Sequence, residues 1–400
     1  MPSSPLNRSV IIIGAGIFGV TAALELRRRG WRVTLLDPGP VPHPRASSTD
    51  ISKVIRMDYG SDAVYTELME LALDRWEEWN RRWDEPLYHA AGFVVMTSAA
   101  MEPGGFEYES HQLLTARGHP LERLDGATLG CRFPTWNNER YVDGYFNPRA
   151  GWAASGRVVG RVAGEARALG VDVREGVWTD RLVVQDSRVC GVEIGRGERL
   201  TADFVIVSAG AWTPLLLPGL DDRLSITGQP VLYLRVEDPA TWQPPHFSCW
   251  AADIARTGWY GFPAMDDGVL KIGHHGPGVQ ITSEKLREGS SLEIPADHEP
   301  RCRAFLAETF PGLAAVPVAG SRLCLYCDSW DGAFYIDHDP DRPGLFVAAG
   351  GSGHGFKFAP VLGELIADRL EEKPNRYSKR FAWRARAEAA RESARASDQR

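Results

Sequence analysis

The chain has 400 residues and a mass of 44.1 kDa. That is more than one ordinary core needs, and it sets an expectation of two domains or one elaborate α/β unit. Hydrophobic residues make up 44%, charged residues 24%, and the net charge is −7. This balance fits a globular protein and offers no basic face to nucleic acid. No apolar run is long enough to span a bilayer. Met1-Pro2-Ser3-Ser4 leads straight into a strand-like run, without the regions of a secretory signal, so a cytoplasmic location is expected.

Val10 to Ile13 reads as a buried parallel strand, followed at once by Gly14-Ala15-Gly16-Ile17-Phe18-Gly19. Val20 to Arg29 reads as a helix that Gly30 ends, and Trp31 to Leu36 as a second strand closed by Asp37. Together these form one βαβ unit. Residues 45–59 look polar and irregular. Ala63 to Trp83 has the period of a long amphipathic helix, and Gly92 to Met96 is strand-like. Residues 98–150 are mixed, with turns at Pro103-Gly104-Gly105 and Asn147-Pro148. A helix is expected over Ser155–Leu169, a strand over Val171–Val173, and a hairpin over Val183–Ile194 turned at Asp186-Ser187. Phe204 to Val207 is a buried strand that runs into Ser208-Ala209-Gly210. Residues 225–285 carry several strand runs, and Cys302 to Phe310 reads as a helix. Leu345 to Ala349 is another apolar strand. It opens into a glycine-rich turn and a helix from about Phe358 to Leu370. The charged stretch from Tyr377 onward predicts a solvated helix.

Gly14, Gly16 and Gly19 complete a G-x-G-x-x-G with a strand before it, a helix after it and an acidic residue closing the second strand. The first glycine permits the tight turn and the second lets backbone approach a pyrophosphate. The third lets the helix pack on the sheet, whose first-turn N–H groups face the phosphates. Asp37 would accept from ribose hydroxyls. The motif itself does not choose between NAD and FAD. Its place near residue 10, with a second glycine-rich strand-to-helix turn beyond residue 349, favours FAD, because flavoproteins of the glutathione-reductase-like type build their fold from separated segments.

Gly350-Gly351-Ser352-Gly353-His354-Gly355-Phe356-Lys357 is that second turn. It suits an anion cradle or a tight structural turn, and the residues alone leave the two readings balanced. Six cysteines, at 131, 190, 249, 302, 324 and 327, form no disulfide framework. Cys324 and Cys327 have C-x-x-C spacing, but no second ligand pair is present for zinc, and the extended surroundings do not suit a thiol-redox helix. Buried small side chains are the plain alternative.

Ser321-Arg322-Leu323-Cys324-Leu325-Tyr326, followed by Gly350 to Phe358, resembles the monomeric sarcosine oxidase family. That family includes N-methyltryptophan, pipecolate, saccharopine-type and fructosyl amino acid oxidases, which are D-amino-acid-oxidase-like. The likeness extends to Gly14–Gly19, to Lys53-Val54-Ile55-Arg56-Met57-Asp58-Tyr59-Gly60, to Tyr260-Gly261-Phe262-Pro263 and to Leu270-Lys271-Ile272-Gly273-His274-His275. The loop 46–51 departs from sarcosine oxidase proper and is similar to the fungal members, which counts against sarcosine itself.

The resemblance implies an α/β chain with a Rossmann-type, glutathione-reductase-like FAD domain over residues 1–85, 150–215 and 320–375. A substrate domain on a mostly antiparallel sheet takes 86–149 and 216–319, and a charged tail takes 376–400. It implies FAD bonded to the sulfur of Cys324 through the 8-methyl carbon. The implied cofactor contacts are Gly14, Gly16, Ile17, Phe18, Gly19, Asp37, Ser47, Ser48, Lys53, Val177, Ala209, Gly210, Trp212, Gly351, Gly353, His354, Gly355 and Lys357. Arg56 and Lys357 would bind a substrate carboxylate, and Tyr260, Tyr326 and His275 would line the substrate face. Lys271 would favour electron transfer to oxygen. The implied reaction oxidises a secondary amine of an amino acid to an imine and releases hydrogen peroxide, with no metal, in a monomer. Two alternatives are a biosynthetic amine or imine dehydrogenase on a larger substrate and a non-catalytic flavin-binding protein.

Overall fold

The computed structural model describes residues 8–288, 292–387 and 394–396. Its first layer is a six-stranded sheet in the order Tyr335–His338, Leu345–Ala349, Phe204–Val207, Ser9–Ile13, Arg32–Leu36, Asp172–Arg174. All neighbours are parallel except the first pair. The central strands are buried from end to end, as an apolar parallel strand covered on both faces must be. Helices Ile17–Arg28, Ser155–Ala168 and Ala359–Leu370 pack on one side of the sheet through a shared core with Val20, Val158 and Leu362.

The second layer is a nine-stranded, mostly antiparallel sheet. Its two longest strands, Leu224–Arg235 and Val318–Ser329, pair along almost their whole length. Cys249–Ala252 and Phe93–Thr97 form the parallel pair within it. A large aromatic cluster under this sheet includes Trp136, Trp250, Phe247 and Phe310. Among the described residues, no helix is long and apolar enough to cross a membrane.

The expected first helix begins three residues earlier than read, at Ile17, so the third glycine of the fingerprint lies inside its first turn. A Cβ on Gly19 would sit 1.9 Å from the Gly14 carbonyl oxygen. Gly19→Ala is therefore expected to cost about 1–3 kcal/mol, as overpacking does. A thermal melt of the cofactor-free protein reads this, and an unchanged midpoint would contradict so close an approach. The hairpin turns where expected: Asp186 and Ser187 have φ of 49° and 61°, the left-handed pair that a two-residue turn needs. A third strand, Glu198–Thr201, extends it.

One expectation is refined and one corrected. The stretch 45–59 is irregular as expected apart from the strand Lys53–Ile55, but its polar residues do not all face solvent, because Ser52, Arg56 and Asp58 are buried. The tail is not a solvated helix. Only Ser378–Phe381 is helical among its described residues. Phe381 stacks on Phe334 at 5.1 Å, and Arg384 holds Asp331 with two bonds of 2.6 and 2.7 Å. Further on, Ala394 is buried in an aromatic cluster with Phe93, Phe106 and Phe262, and Arg395 grips Asp328 through two 2.8 Å bonds. Side-chain docking here outweighs the helical propensity of an Ala/Arg/Glu-rich run. The rest of the expected tail helix lies outside the described residues.

Candidate active site

A cleft of about 1240 Å³ opens at the C-terminal edge of the parallel strands. Gly14 turns there with φ of 100°. The helix Ile17–Arg28 has no cap from its own N-cap residue and no acid in its first turn, so its positive end is free to face an anion. Ser48 arrives from a distant loop, and its Oγ accepts the Ile17 N–H at 3.0 Å. The Asp37 carboxylate accepts N–H groups from Ala15 at 2.8 Å and Gly39 at 3.0 Å. Burial nevertheless raises its carboxyl above the ordinary range. Gly16, Phe18, Ser47, Lys53, Val177, Ala209, Gly210, Trp212, Gly351, Gly353 and Gly355 also line the cleft. Gly19 does not line it and serves helix packing.

The second glycine-rich turn closes the far end of the cleft. Gly350, Ser352 and Gly353 all have positive φ. Ser352 Oγ donates to the Gly350 carbonyl and accepts the Ser329 N–H, both at 3.0 Å. A Cβ on Gly353 would lie 2.1 Å from the ring of Tyr326, so glycine is what lets Tyr326 reach this point. An anionic dinucleotide fits these features: a helix N-terminus with no acid in its first turn, a tight left-handed turn facing it, and a continuous cleft between them.

A second cavity of about 740 Å³ shares Lys53, Tyr326, Gly353 and Phe356 with the first. Arg56, Tyr260, His275, His354 and Lys357 line it, with an apolar wall that includes Phe93, Phe106, Ile254 and Phe262. Tyr59 is its hub. The Arg56 guanidinium lies 5.5 Å and the Lys357 ammonium 5.0 Å from the Tyr59 ring centre. Lys357 Nζ also donates to the Tyr59 hydroxyl at 3.0 Å, and that hydroxyl bonds His354 Nδ1 at 3.0 Å. The long helix Ala63–Arg82 fixes this arrangement. Asp62 caps its first turn, and Trp76 donates to the Lys357 carbonyl at 2.8 Å. Arg56 bonds the Asp58 carbonyl, and no carboxylate pairs with its guanidinium among the described residues. Two cations thus converge on one mostly apolar cavity, an arrangement that calls for an anion. Burial raises both Tyr260 and Tyr326, so both stay neutral phenols.

Lys271 and Cys324 line neither cavity. Lys271 is fully buried on the strand Val269–His274, with its ammonium 4.7 Å from the Phe262 ring centre. Cys324 is 1% exposed, and Lys53 Nζ lies 3.5 Å from its sulfur. Cys327 faces the other way, into the core of the parallel sheet and the wall of the nucleotide cleft. Sequence reasoning singles out neither Tyr59 nor Asp50. Tyr59 lies within the stretch 53–60 that carries the family resemblance, whereas a lone Asp50 in a polar run gives no signal.

A cleft suited to a dinucleotide thus opens onto a small cavity lined by two cations. The family model described as FAD dependent oxidoreductase (DAO) matches residues 9–369, and the chain belongs to that family. It is similar to monomeric sarcosine oxidase of Bacillus sp. (strain NS-129), at 29% identity over 90% of this chain and 91% of that protein. It is also similar to N-methyl-L-tryptophan oxidase of Salmonella arizonae, at 30% identity over 92% and 96%. Among solved structures, the fructosyl amine:oxygen oxidoreductase Amadoriase I of Aspergillus fumigatus superposes with a TM-score of 0.78, at 27% identity and coverage of 96% and 91%. The expected fold class stands: an FAD-dependent oxidoreductase of mixed α/β architecture.

Proposed function

We propose that the chain oxidises the secondary amine of an N-alkylated amino acid, using oxygen as acceptor. The observation that carries this reading is the pair of cations over Tyr59, in a cavity that opens onto the nucleotide cleft. Arg56 offers a planar fork to a carboxylate, and Lys357 adds a point charge beside it. With the carboxylate held there, the amine and its neighbouring carbon extend toward Lys53, Tyr326 and Gly353, the residues common to both cavities. The amine must be neutral to react, and His275 is placed to take its proton. Tyr260 and Tyr326 orient the amine as hydrogen-bonding phenols. The aromatic wall excludes water from the reacting carbon. FAD, when bound, supplies the two-electron acceptor and passes the electrons to oxygen as hydrogen peroxide.

The wall of Phe93, Phe106, Ile254 and Phe262 offers little to sugar hydroxyls. N-methyl amino acids with apolar side chains therefore head the substrate list, before pipecolate, saccharopine, sarcosine and fructosyl amino acids. The same proposal includes a sulfur link from Cys324 to the flavin, the segmented FAD and substrate domains, and a cytoplasmic monomer. A peroxide-coupled screen over those compounds tests it. The expected result is peroxide with N-methyl amino acids. Faster turnover of a fructosyl amino acid would reassign the substrate, and no peroxide with any amine would overturn the oxidase reading.

A further inference from the structure

Asp50 is fully buried in its side chain, yet it belongs to neither cavity. Its carboxylate meets side chains from three parts of the chain. Lys271 Nζ, on the strand Val269–His274, donates to it at 2.7 Å, and the Tyr233 hydroxyl, on the strand Leu224–Arg235, donates at 2.8 Å. Lys53 Nζ lies 3.6 Å away. Arg322 anchors the same loop by bonding the carbonyls of Thr49 and Ala46. The Asp50 carbonyl in turn accepts the Gly156 N–H and the Ser155 hydroxyl, both at 3.0 Å, at the start of the helix Ser155–Ala168. This loop also supplies Ser47 and Ser48 to the nucleotide cleft. Asp50 thus ties the cleft wall to the large sheet and meets Lys271 in the layer between them.

A lone ammonium at zero exposure would lose its proton, because burial penalises the charge. Lys271 has two acceptors, Asp50 and the Ser52 carbonyl at 2.5 Å. The titratable groups that face it are Asp50, Lys53, Cys324 and Cys249. Of these, Asp50 alone brings a full negative charge against it at 2.7 Å, while Lys53 repels it. We propose that Asp50 is a positioning residue that keeps Lys271 protonated and fixes its ammonium between the loop 46–52 and the Phe262 ring, so that the Lys271 charge is present when oxygen is reduced. The proposal rests on the oxidase reading above.

The direction of titration agrees. Burial pulls Lys271 down to about 8, and Asp50 is the main group opposing that fall. Burial alone would raise the Asp50 carboxyl, but Lys271, Lys53 and Arg322 outweigh it and hold it well below the carboxylate range. Removing the Asp50 charge therefore lets Lys271 fall further and lose its proton more readily.

The test compares Asp50→Asn, Asp50→Glu and Lys271→Met in the flavin-loaded enzyme. The chain has six lysines, so 13C NMR of protein labelled at the lysine ε-carbon can follow Lys271 directly, with Lys271→Met giving the assignment. Wild type is expected to titrate near pH 8 and Asp50→Asn at a lower pH. Photoreduced enzyme is then mixed with oxygen, which needs no amine substrate. At pH 7, Asp50→Asn is expected to react about 100-fold more slowly, the size of a lost electrostatic stabiliser, and to match Lys271→Met. Asp50→Glu, which keeps the charge, should recover most of the rate. Asp50→Asn that reacts like wild type, or an unmoved Lys271 titration, overturns the proposal. So does Asp50→Glu as slow as Asp50→Asn, which would mark a packing role only. Anaerobic reduction by an N-methyl amino acid is measured separately. Its failure would sink the substrate reading and leave the oxygen result standing.

Discussion

Arg56→Ala lowers kcat/KM for a carboxylate-bearing amine by about 2–5 kcal/mol, the range for truncating one partner of a buried, hydrogen-bonded charge pair. That is roughly 30- to 5000-fold. The basis is geometric. Arg56 is only 8% exposed and stands among the rings of Tyr59, Phe93 and Phe106, with its guanidinium bonded to the Asp58 carbonyl. A guanidinium kept there without a carboxylate partner gains most when a ligand brings one. Lys357→Met is expected to act in the same direction and less strongly, because the Lys357 ammonium also donates to Tyr59. The two cations share one ring, so the double variant should lose less than the sum of the single losses. An amine lacking the carboxylate should be turned over equally by wild type and Arg56→Ala. Steady-state kinetics on a matched pair of substrates reads all of this, and equal losses on both substrates would remove Arg56 from carboxylate binding.

Wild-type protein precipitated in acid is expected to keep its yellow colour in the pellet, Cys324→Ala to release nearly all of it, and Cys327→Ala to behave as wild type. The Lys53 ammonium stands 3.5 Å from the Cys324 sulfur, within hydrogen-bonding reach of it. Cys324 shares its buried cluster with Tyr326, which lines both cavities. Cys327 has no cation at its sulfur, and burial pushes its thiol up to about 12. The spacing of three along a strand puts the two sulfurs on opposite faces. Absorbance of pellet and supernatant gives the answer directly. Extractable flavin in the wild type would deny the link, and loss of colour on Cys327→Ala would move it to Cys327, on the wall of the nucleotide cleft.

Much of the parallel sheet was legible because its signals are local. An apolar run, a glycine fingerprint and an acidic residue at the next strand end stand within 30 residues of one another. The glycine turn at 350–355 was equally visible, although its meaning was balanced until Tyr326 was seen pressed against Gly353. The burial of Ser52, Arg56 and Asp58 within the stretch 45–59 was hidden because the polarity there is paired over long distances. Asp50 meets Lys271 and Tyr233, and Asp58 meets Tyr145 at 2.6 Å, so no nearby residue announces them. The tail failed for the same reason. Its arginines read as a solvated face, but Arg384 and Arg395 find Asp331 and Asp328 more than 50 residues away. Periodicity reports which side of an element is greasy. It does not report which carboxylate an arginine will reach.

The strand order of the parallel sheet also sets a timetable for biogenesis. Ser9–Ile13 leaves the ribosome first, but one of its two neighbours is Phe204–Val207, whose own outer neighbour is Leu345–Ala349. The last strand is synthesised about 340 residues after the first. At about 5–20 residues per second, that is roughly 17 to 70 seconds. Until Phe204–Val207 has emerged the fingerprint strand has at most half of its hydrogen-bonding partners, and throughout the interval its sheet lacks the strand Leu345–Ala349 and the helix Ala359–Leu370. The nucleotide cleft therefore cannot close before nearly the whole chain has emerged, and flavin capture follows translation rather than accompanying it. Nascent chains are expected to depend on chaperones until then, and slow synthesis or scarce flavin should show first as aggregation rather than as soluble, colourless protein.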